Sequence, residues 1–264
     1  MHSPLWLPIW NPYISVMSET QLHALPDGRQ IAFRHTPPKA SGTGSAVVFL
    51  PGYMSDMAGS KATAIFDLCA ATGRECLLLD YSGCGESRGD FADGSLSRWQ
   101  EEVCALIDAH VECDRIVVAG SSMGGWLMLL VGLQLGARLA GLVGIASAPD
   151  FSDWGFSAEQ KAQLKSGQTI YKDNPYGYDP TPTHSLFWND AAKHELLDAP
   201  IALNCPVRLL HGQVDTDVAP DTSLRLAAAL ASDDVQVTLV KGGDHRLSRD
   251  TDIALLLRTL EILA

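Results

Sequence analysis

Short apolar runs alternate with amphipathic stretches along most of this 264-residue chain. The run Ala46–Leu50 is continuously apolar, as a strand covered on both faces must be. Comparable runs occupy 76–79, 115–119, 142–145, 207–210 and 235–240, and helical spacing of apolar residues occupies 60–72, 95–110, 123–135, 222–230 and 250–263. Because parallel strands need a crossover long enough to hold a helix, this alternation predicts a mostly parallel sheet with helices on both faces.

Two extended runs precede this alternation, at 21–25 and 29–35. The Pro26-Asp27-Gly28 turn between them predicts an antiparallel hairpin. The ordered pattern starts directly after Met17, so translation is expected to begin there. Residues 1–16 are then a segment outside the core, and the core itself is expected to comprise 17–148 and 205–264.

The pattern breaks from 149 to 204, where aromatic, proline and polar residues replace the apolar runs. A stretch of this length is seldom a bare loop. We expect a small cap insertion there, with one helix over 158–164, an extended or hairpin excursion over 171–186 and a second helix over 190–197.

Charge and cysteine usage limit the partners of the chain. Nineteen Lys and Arg against 31 Asp and Glu give a formal charge of -12, which repels nucleic-acid phosphates and anionic lipid surfaces. Nucleic acid is therefore not an expected partner. No run approaches the roughly 20 apolar residues of a membrane helix, so stable membrane insertion is not expected either. The six scattered cysteines favour reduced thiols, which predicts a cytoplasmic location.

The candidate nucleophile is Ser122, in the run Gly120-Ser121-Ser122-Met123-Gly124 between a predicted strand and a predicted helix. In this context the Gly-x-Ser-x-Gly turn is so sharp that small residues are needed two positions before and after the serine. The turn lifts the hydroxyl clear of the sheet. Because a serine hydroxyl is a weak nucleophile, the chain must also supply a base.

His245 is the predicted base among the eight histidines. It follows the last predicted strand, where a side chain can reach over the C-terminal edge of a parallel sheet. His211 also ends a strand and is the alternative, although its neighbours favour a role in shaping the next turn. His184 and His194 lie in the insertion, where they could contact substrate or serve a structural role.

Asp215 is the predicted acid, which orients the imidazole and stabilises its cation. It lies on a strand-terminal turn, between the serine and the histidine in chain order. Asp217 is the alternative. The Gly-rich turn after Asp80 departs from a dinucleotide-binding pattern at Arg88, and we interpret it as a turn that shapes the pocket. No cofactor and no metal are expected.

Acyl transfer also requires two backbone amides that stabilise the oxyanion. One is expected from Met123, directly after the nucleophile. The other is expected from Tyr53, in the loop after the strand Ala46–Leu50, where Gly52 permits the backbone geometry. A plain strand-exit turn is the alternative interpretation of this loop.

Several long runs resemble a known family. They are Phe49-Leu50-Pro51-Gly52-Tyr53-Met54-Ser55-Asp56-Met57, Gly59-Ser60-Lys61-Ala62, Asp80-Tyr81-Ser82-Gly83, residues 120–128, residues 204–212 and Asp244-His245-Arg246. Over nearly all of 21–264 the chain resembles the α/β-hydrolase superfamily. The runs themselves are similar to its mitochondrial palmitoyl-protein thioesterases, which also hydrolyse mycophenolic acid acyl-glucuronide.

The resemblance implies an eight-stranded α/β-hydrolase fold, with Ser122, Asp215 and His245 as its triad. It also implies acyl thioesters or acyl-glucuronides, on small molecules or proteins, as substrates. The start of the chain does not resemble a mitochondrial transit segment, and the insertion is less similar than the core. We therefore expect a serine hydrolase of carboxylic esters or thioesters. A general carboxylesterase for small hydrophobic acyl groups, another triad hydrolase and a non-catalytic binding module are the alternatives.

Overall fold

The computed structural model describes residues 19–39, 44–173, 177 and 179–264. The predictions for 1–16 and for a start at Met17 lie outside these residues. Along the chain the strands are β1 (Gln21–Ala24), β2 (Gln30–Thr36), β3 (Ala46–Leu50), β4 (Cys76–Leu79), β5 (Ile116–Ser121), β6 (Leu139–Ile145), β7 (Ile170–Lys172), β8 (Thr181–Thr183), β9 (Val207–Gly212) and β10 (Val235–Val240). The α-helices are α1 (Ser60–Thr72), α2 (Leu96–His110), α3 (Met123–Leu135), α4 (Phe151–Trp154), α5 (Ala158–Lys165), α6 (Ser185–Ala191), α7 (Asp221–Ala229) and α8 (Asp250–Leu263).

Eight strands form one sheet in the order β1-β2-β4-β3-β5-β6-β9-β10. Strand β2 pairs antiparallel with β1 and β4, whereas the remaining neighbours pair in parallel. The predicted mostly parallel, eight-stranded sheet of an α/β-hydrolase fold is therefore confirmed.

Helices cover both faces of this sheet, which explains why β3 and β4 are apolar and buried at every position. In β3, Val48 and Leu50 join the core cluster that includes residues of α2, α3 and α7. Val47 and Phe49 alternate with them and join the cluster that includes residues of α1 and α8. Burial of each such aliphatic or aromatic side chain contributes roughly 1.5–3 kcal/mol to the stability of the folded state. Both layers hold the sheet rigid, so the loops at its C-terminal edge start from fixed points.

The segment 149–204, called the insertion below, carries α4, α5, α6 and the antiparallel pair β7–β8. Helix α5 and the β7–β8 pair lie where a helix and an extended excursion were predicted. The division of the chain into a core and a separate cap stays a prediction. Across the described ranges, the structure contains no helix with the length and apolar character needed to cross a bilayer.

The second predicted helix of the insertion, over 190–197, is wrong. Helix α6 lies earlier, because Phe187 and Ala191, four residues apart, are both buried in the core. Asp190 ends up near the end of α6 rather than at the start of a helix. The chain beyond α6 turns instead, and its amides at Leu196 and Leu197 donate to the carboxylate of Asp150. Helix α4 was not predicted.

Candidate active site

Ser122 lies in the sharp turn between β5 and α3. Its backbone angles are φ 56° and ψ -119°, a conformation that non-glycine residues rarely adopt. A Cβ atom on Gly120 would overlap the carbonyl oxygen of Gly124, and one on Gly124 would overlap that of Leu50. Glycine at both positions is therefore a steric requirement of the turn, for the reason inferred from the sequence.

Ser122, His245 and Asp215 form a continuous hydrogen-bonded chain, from loops that follow β5, β10 and β9. Ser122 Oγ lies 3.0 Å from His245 Nε2, and His245 Nδ1 lies 2.8 Å from Asp215 Oδ2. Because an ionised carboxylate only accepts, we assign the ring proton to Nδ1, which leaves Nε2 to accept from the serine hydroxyl. The serine thus has a base within hydrogen-bonding distance.

Asp215 is buried and its carboxylate is surrounded by donors. Its Oδ1 accepts from the backbone N–H of Asp217 and of Val218, each at 2.9 Å. Its Oδ2 lies 3.1 Å from His211 Nε2 as well as close to His245. Burial alone would raise the pKa of Asp215, but the hydrogen bonds from His211, His245 and Val218 outweigh burial and hold that pKa well below its usual range. The carboxylate therefore stays ionised at neutral pH.

The alternative base, His211, and the alternative acid, Asp217, occupy different places around these three hydrogen-bonded side chains. His211 is completely buried and contacts Asp215 rather than Ser122. Asp217 is exposed in the cavity wall. A carboxylate oxygen of Asp217, one of Asp215 and a ring nitrogen of His245 all lie within 4.8 Å of one another.

The two histidines of the insertion take part in hydrogen bonds away from Ser122. His184 Nδ1 lies 3.1 Å from Thr169 Oγ1, within the insertion. His194 Nε2 lies 2.7 Å from Ser97 Oγ, at the start of α2. These contacts favour the structural role for both.

The loop 51–57 lies directly against the serine. A Cβ atom on Gly52 would lie 3.4 Å from Cβ of Ser122. The turn after β4 supports this loop from behind, because Tyr81 Oη donates to the carbonyl of Pro51 at 3.0 Å. Asp80 Oδ1 accepts from the backbone N–H at position 57 at 2.7 Å. The Gly-rich turn that begins at Asp80 therefore shapes the site through the loop it supports.

Met123 follows Ser122 directly in sequence, and Tyr53 lines the same cavity as both residues. Tyr53 follows Gly52 in the supported loop, and Met123 is the first residue of α3. In the described parts of the chain, neither N–H donates to a backbone carbonyl. Both amides therefore remain available to an oxygen bound next to Ser122.

Two cavities meet at Ser122 and His245. The first has a volume of about 470 Å³, and the second of about 610 Å³. Apolar residues of the first include Met123, Ala148, Phe151, Trp154, Phe156, Val218 and Ala219. Polar and charged residues of the second include Ser55, Asp56, Lys61, Asp179, Thr181 and Arg246. The site thus offers a cavity with an aromatic wall and a second cavity with more charged side chains, and both reach the same hydroxyl.

The aromatic wall of the first cavity was not identified residue by residue from the sequence. Phe151, Trp154 and Phe156 supply it, and they lie in or directly after α4. The aromatic residues of the insertion are the signal that an apolar pocket leaves in a sequence. That signal does not show which side chains face that pocket, because no periodic pattern marks a helix of four residues.

The chain matches the alpha/beta hydrolase family over residues 47–258. It is 34% identical over 271 residues to human palmitoyl-protein thioesterase ABHD10, mitochondrial, and the match covers 99% of this chain and 84% of the human protein. A solved hydrolase from Agrobacterium vitis S4 is 34% identical with a TM-score of 0.85, covering 93% of this chain and 99% of that one. Alpha/beta hydrolase domain-containing protein 10 from mouse is 32% identical with a TM-score of 0.84, covering 93% and 98%. The chain belongs to the alpha/beta hydrolase family.

Proposed function

We propose that this protein is a serine hydrolase that cleaves carboxylic thioesters or esters through an acyl-enzyme. Ser122 is the nucleophile, His245 the general base and Asp215 the acid that orients it. The observation that carries the proposal is the unbroken hydrogen-bonded chain of these three side chains where the two cavities meet. The mitochondrial relatives are named palmitoyl-protein thioesterases, which supports an acyl thioester as substrate.

In the first half of the reaction, Ser122 Oγ attacks the acyl carbonyl and its proton moves to His245 Nε2. The negative charge on the carbonyl oxygen is stabilised by the N–H groups of Tyr53 and Met123, and by the N-terminal end of α3. The bond from the acyl carbon to the leaving sulfur or oxygen then breaks. Nε2 returns the proton to the leaving group, which departs as a thiol or an alcohol.

In the second half, water replaces the leaving group. His245 Nε2 takes a proton from the water as it attacks the acyl-enzyme, and the same two amides stabilise the second oxyanion. The ester bond to Ser122 breaks, and its Oγ recovers the proton from Nε2. The products are the free acid and the restored serine, and Asp215 remains ionised throughout because it only orients and stabilises the imidazolium.

The two cavities support an assignment of the two parts of the substrate. The first cavity has an aromatic wall and a volume in the usual range of ligand pockets, so we place the hydrophobic acyl group there. The second cavity presents Asp56, Lys61 and Asp179, which suit a leaving group with hydrogen-bonding atoms along its length. A peptide or a sugar acid fits that description, so the proposed substrates are acyl-proteins or acyl-glucuronides.

Turnover of matched substrates tests this function. One acyl group is attached to a thiol, to glucuronic acid and to a simple alcohol, and the series is repeated with longer and shorter acyl chains. We expect the thioester or the glucuronide to have the highest kcat/KM, and Ser122→Ala to abolish turnover without changing the melting temperature. A preference for simple alcohols would identify a general carboxylesterase, and no turnover of any substrate would favour a binding module.

The cellular location is part of the proposal. All six cysteines are free thiols, which agrees with the reducing compartment that a cytoplasmic protein occupies. Fractionation of cells that express the untagged chain would test this.

A further inference from the structure

A second histidine contacts the acid of the proposed triad. His211, near the end of β9, is completely buried. Its Nε2 lies 3.1 Å from Asp215 Oδ2 and 3.0 Å from the carbonyl oxygen of Val218. Both neighbours are acceptors, so we assign a proton to Nε2, which donates to both. At the other side of the ring, Nδ1 lies 2.7 Å from the hydroxyl of Ser223.

One carboxylate oxygen therefore serves two imidazoles. Asp215 Oδ2 accepts from His245 Nδ1 at 2.8 Å and from His211 Nε2 at 3.1 Å. The side chains of Asp215 and His211 are both fully buried. Hydrogen bonds of buried groups are strong and polarise one another, because little water screens them. A donor that binds Oδ2 thus reduces the negative charge that the same oxygen presents to any other donor.

We propose that His211 is a positioning residue of the active site, which fixes Asp215 Oδ2 and limits the charge that this oxygen presents to His245. The inference rests on the proposed function of Ser122, His245 and Asp215, and it adds a fourth side chain. Without the Nε2–H of His211, Oδ2 would serve His245 alone. The imidazolium form of His245 would then be stabilised, and the base would stay protonated, and therefore inactive, up to a higher pH.

Other charged groups lie on the elements around this pair. Asp217 faces Asp215 and His245 within 4.8 Å. Asp221 begins α7, Lys61 belongs to α1, and Asp244 and Arg246 flank His245 in sequence. All of them are retained in the variants below, so a comparison between those variants isolates the contribution of position 211.

Two side chains of similar length, Gln and Met, distinguish the effect of the hydrogen-bond donor at position 211 from the effect of its packing. In His211→Gln the side-chain amide can place an N–H where Nε2 lies, whereas His211→Met fills similar space without any donor. For a thioester substrate, we expect the pH of half-maximal kcat/KM to rise by about half a unit or more in His211→Met. In His211→Gln it should return toward the wild-type value. A uniform loss of kcat in His211→Met, with the half-maximal pH unmoved, would show a merely structural role and overturn the proposal.

A measurement on the unaltered protein covers the case in which His211→Met does not fold. In ¹⁵N-labelled protein at neutral pH, NMR spectroscopy should show a proton bonded to Nε2 of His211. In a second measurement, the resonance of the His245 Nδ1 proton should shift less in His211→Gln than in His211→Ala, a smaller variant that also lacks the donor. A His211 ring with no proton at Nε2 would overturn the proposal. Because neither readout requires turnover, this result is independent of whether the protein proves to be a hydrolase.

Discussion

Asp150 accepts a hydrogen bond from the backbone N–H of Leu197 at 2.7 Å, which joins the start of the insertion to its last turn. The N–H of Leu196 donates to the same carboxylate at 2.9 Å. Asp150 is buried, with a positive φ of 57°. The next residue, Phe151, lines the apolar cavity. This pair therefore holds a wall of the proposed acyl site in place.

Substitution of Asp150 tests that role. In Asp150→Ala, the amides of Leu196 and Leu197 lose their acceptor, at a cost of roughly 1–3 kcal/mol for each amide that stays buried and unpaired. In Asp150→Asn the side chain keeps an acceptor, and asparagine tolerates the left-handed backbone. The loss in the free energy of unfolding should therefore be smaller than in Asp150→Ala. Urea unfolding measures both, and KM for a long-chain thioester should rise in the alanine variant. Equal stability of the two variants would contradict the role of the acceptor.

The two neighbouring carboxylates should differ sharply in their effect on rate. Asp215→Asn removes the acceptor that holds the proton on His245 Nδ1, so kcat should fall by roughly 10⁴, as expected when the imidazole adopts the wrong tautomer. Asp217→Asn leaves that bond intact and should change kcat less than about tenfold. Steady-state kinetics on both variants, with circular dichroism as a control for folding, would decide. A larger loss in Asp217→Asn would move the acid to position 217.

A methyl group at the tight turn should be tolerated poorly. Gly124→Ala places a Cβ atom into the carbonyl oxygen of Leu50, and we expect a loss of about 3 kcal/mol or more in the free energy of unfolding. Gly59→Ala is the matched control, because its φ is -61° and the nearest atom to an added Cβ is 3.6 Å away. Because Gly59 is the N-cap of α1, Gly59→Ala should lower the free energy of unfolding by only about 1 kcal/mol. Thermal unfolding would show whether the two differ.

The contact between α6 and α2 should depend on pH. The carboxylate of Asp190 accepts from the backbone N–H and the hydroxyl of Ser97, each at 2.8 Å. Burial raises the pKa of Asp190, but these hydrogen bonds outweigh burial and leave it below its usual value. A carboxyl group with a lowered pKa in the folded state stabilises the fold above its unfolded pKa of about 3.9, and loses that contribution as the pH falls further.

Wild type should therefore be more stable than Asp190→Asn at pH 7, by about 1–3 kcal/mol. The difference should shrink as the pH falls below about 4. Thermal unfolding of both proteins between pH 3 and pH 7 measures this difference. A gap of constant size across that range would show that the ionised carboxylate is not the source.

The sheet and its long helices could be predicted because each strand is a recognisable apolar run and each long helix spans several turns. Helices α1, α3 and α8 begin and end at the predicted residues, because each spans more than three turns between recognisable boundaries. Helices α4 and α6 could not be predicted in the same way, because they have four and seven residues. Tertiary contacts of Asp150 and Asp190 fix their positions, and such contacts leave no local pattern.

The site could be predicted to the extent that its residues occupy special points of the chain. Ser122 is marked by its two glycines, and His245 by its place after the last strand. The structure brings both together with Asp215, and their catalytic roles stay a proposal. The second contact of Asp215, to His211, joins the end of β9 to the loop that follows it through a buried side chain. That contact depends on how the loop folds over β9, which the spacing of four residues does not determine.

Covalent labelling would show whether His245 activates the hydroxyl of Ser122. A fluorophosphonate probe reacts with a serine hydroxyl only where a base activates it. Peptide mass spectrometry should place one adduct on Ser122 in the wild type. The same adduct should form in Ser121→Ala, because that substitution leaves the hydrogen bonds between Ser122, His245 and Asp215 intact. No adduct should form in Ser122→Ala, and labelling of His245→Ala should be slower by orders of magnitude. An adduct on another serine, or equal labelling in His245→Ala, would refute the proposed roles of Ser122 and His245.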